Sequence, residues 1–211
     1  MKIVAPSYKI LTQIDGKEIL KRIEAAGRTC YKSEDKITDE SAEKFVSMVI
    51  KRGHHSVIEH ESLSVRFVCD RGVTHEMVRH RLCSVSQEST RYVNYQSDDI
   101  QFIKPMWYDD SSEHQQKIWE LSCRASEAAY KDLITSGWRP EQARSVLPNS
   151  LKTEIVITAN MREWRHILNL RCSKAAHPQM REIMVPLLFE LSYKLPCLFQ
   201  DIVVSLGMSN K

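Results

Sequence analysis

The stretch KTEIVITANMREWRHILNLR, residues 152–171, reads as a strand, a cap and a helix in immediate succession. Residues 152–159 have the composition of a strand. Asn160 can cap the helix that follows, and Glu163 three residues on gives a capping-box pattern. Upstream, SLSVRFVC (62–69) alternates, with Leu63, Val65 and Phe67 on one face of a half-buried strand. After Asp70-Arg71-Gly72 the pattern predicts a short helix over about 74–82, with Thr74 as its cap. SVSQESTRY (84–92) is polar, has no period and reads as a loop. IQFIK (100–104) is a strand candidate that ends at Pro105. A long helix is expected over about 111–136, stopping at Gly137, and Pro140 opens another at its first position. Nearer the start, residues 1–5 read as a strand and 16–28 as a helix with Ile19, Leu20 and Ile23 on one face. A helix over about 39–52 has Thr38 as its cap, Phe45, Val46, Val49 and Ile50 as its stripe, and Gly53 at C′. A last long helix begins at Pro178 with a kink expected at Pro186. Few strands, separated by helices of varied length with no repeat or low-complexity linker, make the expected fold α+β, one domain over residues 1–211.

Composition narrows the function. Hydrophobic residues make up 42% and charged residues 27% of the 211, a globular balance that argues against disorder. No apolar run approaches the ~20 residues of a membrane span. The opening MKIVAPSYKIL has too short an apolar stretch for a secretory signal, so the expected location is cytoplasmic. The six cysteines (Cys30, Cys69, Cys83, Cys123, Cys172, Cys197) form no CxxC pair and read as reduced thiols rather than a disulfide framework or zinc site. His54, His55, Glu59 and His60 resemble a zinc motif only loosely, because His55 to Glu59 is one residue too long, and no metal is expected. There is no GxGxxG or Walker A loop, and only six glycines in all, which excludes glycine-loop nucleotide folds. A net charge of +3 with few aromatics among the arginines does not suit a nucleic-acid module.

The distribution of charge says more than its total. Arg66 to Arg91 holds five arginines and no lysine; Arg139 to Arg181 holds six arginines and two lysines. Guanidinium forks suit phosphate and carboxylate, so the clusters point to an anionic small ligand or to two surfaces laced with ion pairs. Just before RHRLCSVSQESTRY (79–92), Glu76 lies one helical turn from Arg79. The following loop offers amides, the hydroxyls of Ser84, Ser86, Ser89 and Thr90, and the Arg91 guanidinium. Such donors meet the needs of a phosphate or pyrophosphate; the plainer reading is a solvated serine-rich loop. Ser89 would need a positioned base to act as a nucleophile and reads better as a phosphate contact.

RHR-x7-S, here Arg79-His80-Arg81 and Ser89, resembles the signature of the flavin-dependent thymidylate synthases. GHHSVIEH (53–60), EQARSVLP (141–148), TANMREWRHILNLR (158–171) and HPQMRE (177–182) fall in that family's order and spacing. The resemblance implies a fold with a small, mainly antiparallel sheet and several long helices. It implies methylation of dUMP to dTMP, with FAD as cofactor and NADPH and 5,10-methylenetetrahydrofolate as co-substrates, in a homotetramer with shared active sites. Its FAD site maps onto His54, Ser56, Arg79, His80, Arg81, Gln87, Asn160, Arg162 and His166. Its dUMP site maps onto Glu76, Arg79, Gln87, Glu88, Ser89, Thr90, Arg91, Arg144 and Arg171. Arg171, implied to face a uracil carbonyl, is the expected catalytic residue, and no cysteine is expected to act as nucleophile. Glu76 stands where many members have glutamine, His166 where many have asparagine, and CSKAA after Arg171 is longer than in some.

Overall fold

The structure is a computed structural model that describes residues 1–209, apart from the side chain of Tyr31. In chain order the elements are β1 (Lys2–Val4), β2 (Ser7–Ile10), α1 (Gly16–Tyr31), α2 (Ser41–Lys51), β3 (Ser62–Asp70), α3 (Arg71–Met77) and β4 (Ser84–Gln87). They continue with β5 (Gln101–Ile103), α4 (Glu113–Thr135), α5 (Pro140–Ala143), β6 (Lys152–Asn160), α6 (Met161–Arg171), α7 (Pro178–Lys194) and α8 (Pro196–Ser205). The fold is α+β with a small antiparallel sheet, in strand order β2-β3-β6-β4; β1 pairs separately with β5, in parallel.

The two long strands form because every second residue has somewhere dry to go. Leu63, Val65, Phe67 and Cys69 of β3 are buried, as are Thr153, Ile155, Ile157 and Ala159 of β6. Each strand runs directly into a helix through an Asx cap. Asp70 Oδ1 accepts from the Val73 N–H at 2.7 Å, and Asn160 Oδ1 accepts from the Glu163 N–H at 2.9 Å. Both side chains satisfy an amide that the first helical turn leaves orphaned.

The chain divides into two compact units. The first comprises residues 1–8, 66–79 and 85–156, and its core gathers Ile100, Phe102, Cys123, Tyr130, Ala143 and Leu151. The second comprises residues 9–65, 80–84 and 157–211. In it α1 packs on α2, and α6, α7 and α8 pack on one another. Trp164 is its largest buried side chain, and its indole N–H donates to the Leu63 carbonyl at 3.0 Å.

Five local expectations are corrected. The helix placed at 74–82 is α3, and Asp70 rather than Thr74 is its cap. Thr74 is wholly buried, donating its hydroxyl to the Arg71 carbonyl and accepting from the Gln87 amide. Thr38 does not cap α2; Glu40 holds the N-cap position, and the Ser41 hydroxyl accepts from the Thr38 N–H. SVSQ, expected as loop, is the edge strand β4, because β6 supplies a partner that local sequence cannot reveal; short polar strands suit an edge. β2 carried no clear alternation and was not anticipated. The single last helix is two: α7 continues through Pro186, and the chain breaks at Leu195 before Pro196 opens α8. Gly53 is at C′ of α2 as expected, with φ +72°, a left-handed conformation that favours glycine.

Gly27 shows how closely α1 approaches α2. A Cβ there would lie 2.5 Å from two ring carbons of Phe45 and 2.9 Å from a methyl of Val57. Gly27→Ala gains about 1 kcal/mol of helix propensity but overpacks a filled core, which costs about 1–3 kcal/mol. We expect a net loss of stability in urea denaturation. A variant as stable as the parent would show that the Phe45 ring yields at no more than the ~1 kcal/mol gained in propensity.

Candidate active site

In the first unit the motif residues converge on α3, the segment after β4, and α5. The Arg144 guanidinium donates to the Thr90 hydroxyl at 3.2 Å. The Ser89 hydroxyl accepts from the Arg91 N–H at 3.3 Å, and the Arg91 guanidinium lies 5.4 Å from the Tyr92 ring centroid. A cavity of about 500 Å³ opens here, lined among others by Arg71, His75, Thr90, Glu141 and Arg144. Arg71 and His75 were missed by sequence reasoning. The signal was present: they are four residues apart on one short helix and so share a face.

Other residues assigned from the sequence are held by the protein itself. The Glu88 carboxylate accepts from the Tyr95 hydroxyl at 2.7 Å and from Lys152 Nζ at 3.1 Å, while its N–H bonds the Glu154 carbonyl. The carboxylate and burial together push the Tyr95 phenol far above its ordinary value, burial first. Gln87 donates to the Thr74 hydroxyl at 2.9 Å and so ties the β4 edge to α3. The Arg79 N–H bonds the Glu76 carbonyl, and the Arg79 side chain is exposed.

The second unit brings together three of the motifs. Arg162, on α6, pairs with Glu59 of the turn His55–His60 at 2.5 Å. That pairing commits the carboxylate of the loose zinc motif to a guanidinium. His54, Ser56, Arg81, Arg162 and His166 are exposed. His80 is buried, and its ring meets His166 edge-on with centroids 5.7 Å apart. Arg171 Nε donates to His80 Nε2 at 3.0 Å, and Glu163 Oε1 lies 3.5 Å from His80 Nδ1. His80, Glu163 and His166 offer ligand atoms within 4.8 Å of one another. The Arg171 guanidinium donates to the same ring at 3.0 Å and is an unfavourable neighbour for a second cation, so we assign no metal there.

Burial, then the charges of Arg171 and His166, push the His80 imidazole down to about 4. Cysteines in this unit are pushed upward: Cys83 to about 11 by burial and then the Glu163 charge, and Cys172 to about 12 by burial. Both are therefore neutral thiols near pH 7, poor nucleophiles. A larger cavity of about 750 Å³ lies between α1 and α2, lined by Lys17, Leu20, Lys21, Glu40, Glu43 and Lys44. Its charges are of both signs and include none of the motif residues.

The donor chemistry can be tested against a flavin dinucleotide. Arg81 and Arg162 offer exposed cations for a pyrophosphate, and the Asn160, Ser56 and His166 side chains offer further polar contacts within the same unit. This set fits the group.

Fold and site together define an α+β protein that presents arginine forks, rather than glycine loops, to anionic ligands. The family profile described as thymidylate synthase complementing protein matches residues 11–197. A protein from Geobacter sulfurreducens named flavin-dependent thymidylate synthase is 33% identical over 83% of this chain and 78% of its own. One of the same name from Mycolicibacterium vanbaalenii is 36% identical over 93% and 84%. The crystal structure of the UMP/dUMP methylase PolB from Streptomyces cacaoi, bound with 5-Br dUMP, superposes with a TM-score of 0.79 over 100% of both chains at 20% identity, and so shares the fold. The chain belongs to the family of flavin-dependent thymidylate synthases.

His80 should leave a signature in the pH dependence of stability. Its folded value of about 4 lies below the ordinary 6.5, so the unfolded chain binds the proton first as pH falls. The stability it contributes is complete above pH 6.5 and drains away toward pH 4, on the order of 3 kcal/mol in all. His80→Gln should therefore flatten the stability profile between pH 6.5 and 5, where carboxylates are still ionised. Parallel profiles for parent and variant in urea denaturation would show that His80 is not held neutral.

Proposed function

We propose that this chain is a thymidylate synthase that methylates dUMP to dTMP, taking its carbon from 5,10-methylenetetrahydrofolate and its reducing power from NADPH through bound FAD. Residues 1–211 act as one catalytic domain, in a cytoplasmic homotetramer whose active sites draw on several subunits. The observation that carries this reading is Arg171 docked on buried His80, which joins the RHR motif to the end of α6.

The residues divide their labour by chemistry. Arg144, Thr90, Ser89 and Arg91, with Arg71 and His75 beside them, form the phosphate end of the dUMP site. Glu76, Arg79, Gln87 and Glu88 complete it, Gln87 and Glu88 chiefly by fixing the β4 edge. Arg81, Asn160, Arg162 and His166 would hold FAD, with His54 and Ser56 on the turn that Arg162 grips and with Arg79, His80 and Gln87 in support. Reduced FAD supplies the hydride equivalents of the reaction. Arg171 faces a uracil carbonyl and stabilises the negative charge that grows on the ring as C5 becomes nucleophilic. A guanidinium fixed before the reaction spends no reorganisation energy during it.

The direct test is dTMP formation from dUMP with FAD, NADPH and methylenetetrahydrofolate; no product under these conditions would end the proposal. Arg171→Ala should lower the rate by ~10²–10³. Ser89→Ala removes one hydroxyl among several phosphate donors and should cost only about 0.5–1.5 kcal/mol of dUMP binding. Loss of turnover at saturating dUMP in Ser89→Ala would reverse that ranking.

Cys83→Ala and Cys172→Ala, singly and together, should leave turnover near the parent's. Their thiols are held protonated by burial, and no covalent attack on the pyrimidine ring is asked of them. Abolished turnover in a double variant that folds and retains flavin would require thiol catalysis.

A further inference from the structure

The second unit holds a buried carboxylate that the proposed chemistry does not use. Glu163 is 7% exposed, at the third position of α6. An acid there commonly reaches back to its own cap, but Glu163 Oε1 instead lies 3.5 Å from His80 Nδ1. On the far side of the same ring, Arg171 Nε donates to His80 Nε2 at 3.0 Å. A guanidinium N–H can only donate, so Nε2 must carry a lone pair. The proton of the neutral ring is therefore on Nδ1, toward Glu163.

We propose that Glu163 is a positioning residue: it fixes His80 as the Nδ1–H tautomer and, through that ring, aims the guanidinium of Arg171. Its importance for turnover rests on the reading of Arg171 given above; its effect on the ring does not. Without Glu163 the imidazole could carry its proton on Nε2, which would point an N–H at a guanidinium that also only donates. Arg171 would then lose an acceptor and its fixed direction. The titratable and charged groups facing His80 are Glu163, His166 and Arg171, all on α6. Burial and the two cationic or polar neighbours hold the ring neutral, so the tautomer rather than the charge is left for Glu163 to set. Carboxylates orient histidines in this manner wherever the second ring nitrogen must do a defined task.

Three readouts test the proposal on the full-length protein. With ¹⁵N-histidine labelling and His80→Gln to assign the signal, the His80 ring of the flavin-free protein should show a protonated Nδ1 and an unprotonated Nε2 at pH 7. Glu163→Ala should shift that balance toward Nε2–H; an unchanged pattern overturns the proposal. In the dTMP assay, Glu163→Ala should lower kcat about 10- to 100-fold, as misaimed catalytic groups do, with KM for dUMP and flavin content little changed. Glu163→Gln, which keeps an acceptor for Nδ1–H, should recover most of the loss. In an Arg171→Ala background, Glu163→Ala should cost less than about twofold, because its route of action is already gone. Equal losses in both backgrounds, or flavin lost in step with kcat, would make Glu163 a structural or cofactor residue and overturn the proposal. Should Glu163→Ala fail to fold, Glu163→Asp draws the carboxylate back by one methylene and is expected to give the same fall in kcat; a parental kcat would overturn it. If the parent enzyme makes no dTMP, the assigned activity fails, and the ring tautomer still decides the role of Glu163.

Discussion

Two strand-to-helix junctions set where the functional side chains can be. β3 ends at Asp70 and β6 at Asn160, and in each case the carboxylate or amide accepts from an amide three residues on. A side-chain cap is worth about 1 kcal/mol, a modest sum. Its larger effect is geometric. Because each strand is pinned by alternating burial, a cap at its last residue gives the helix a definite start and a definite rotation. α3 then presents Arg71 and His75 on one side. α6 presents Arg162 and His166 outward and lays Arg171 on the His80 ring, while Met161, Trp164, Ile167 and Leu168 go to the core.

Electrostatics within α6 follow from that rotation. His80 is buried against the same helix and meets a cation, an imidazole and a carboxylate from it. Burial alone would favour the neutral ring, and Arg171 adds to that preference. A neutral imidazole is the condition for the contact with Arg171, since an imidazolium could not accept its N–H. The neutral ring is thus required by the hydrogen bond, and burial secures it.

Much of this was legible in sequence, and the failures share a cause. The strands of residues 62–70 and 152–160, the long helix of residues 113–135 and the Asn160 cap could be read because period and capping chemistry are local. The ordered motifs pointed to the family without any structure. β4 could not be read, since SVSQ becomes a strand only beside β6. The cap of α3 lies four residues before the expected one because Asp70 and Thr74 are both good caps, and only burial of Thr74 decides between them. Glu163 fitted a capping box so well that its real partner, eighty-three residues away, was hidden. Arg71 and His75 were passed over because they lie outside every matched motif.

The scarcity of glycine explains the style of the site. Glycine loops bring backbone amides close to a phosphate and need little side-chain charge. With six glycines in 211 residues, this chain must supply its donors from side chains. Long cationic side chains are mobile, so each must be held by a second contact to be useful. Arg144 is held on the Thr90 hydroxyl, Arg162 on Glu59 and Arg171 on His80. The choice of anchor tunes the result. Glu59 neutralises much of the charge it positions, which would suit a long-lived contact if Arg162 holds the cofactor as proposed. A hydroxyl or a neutral imidazole leaves the guanidinium charge intact, which would suit the substrate phosphate proposed for Arg144 and the developing ring charge proposed for Arg171. A lysine at residue 171 could not reproduce this, because only the planar fork can be fixed through Nε while its outer nitrogens remain directed elsewhere.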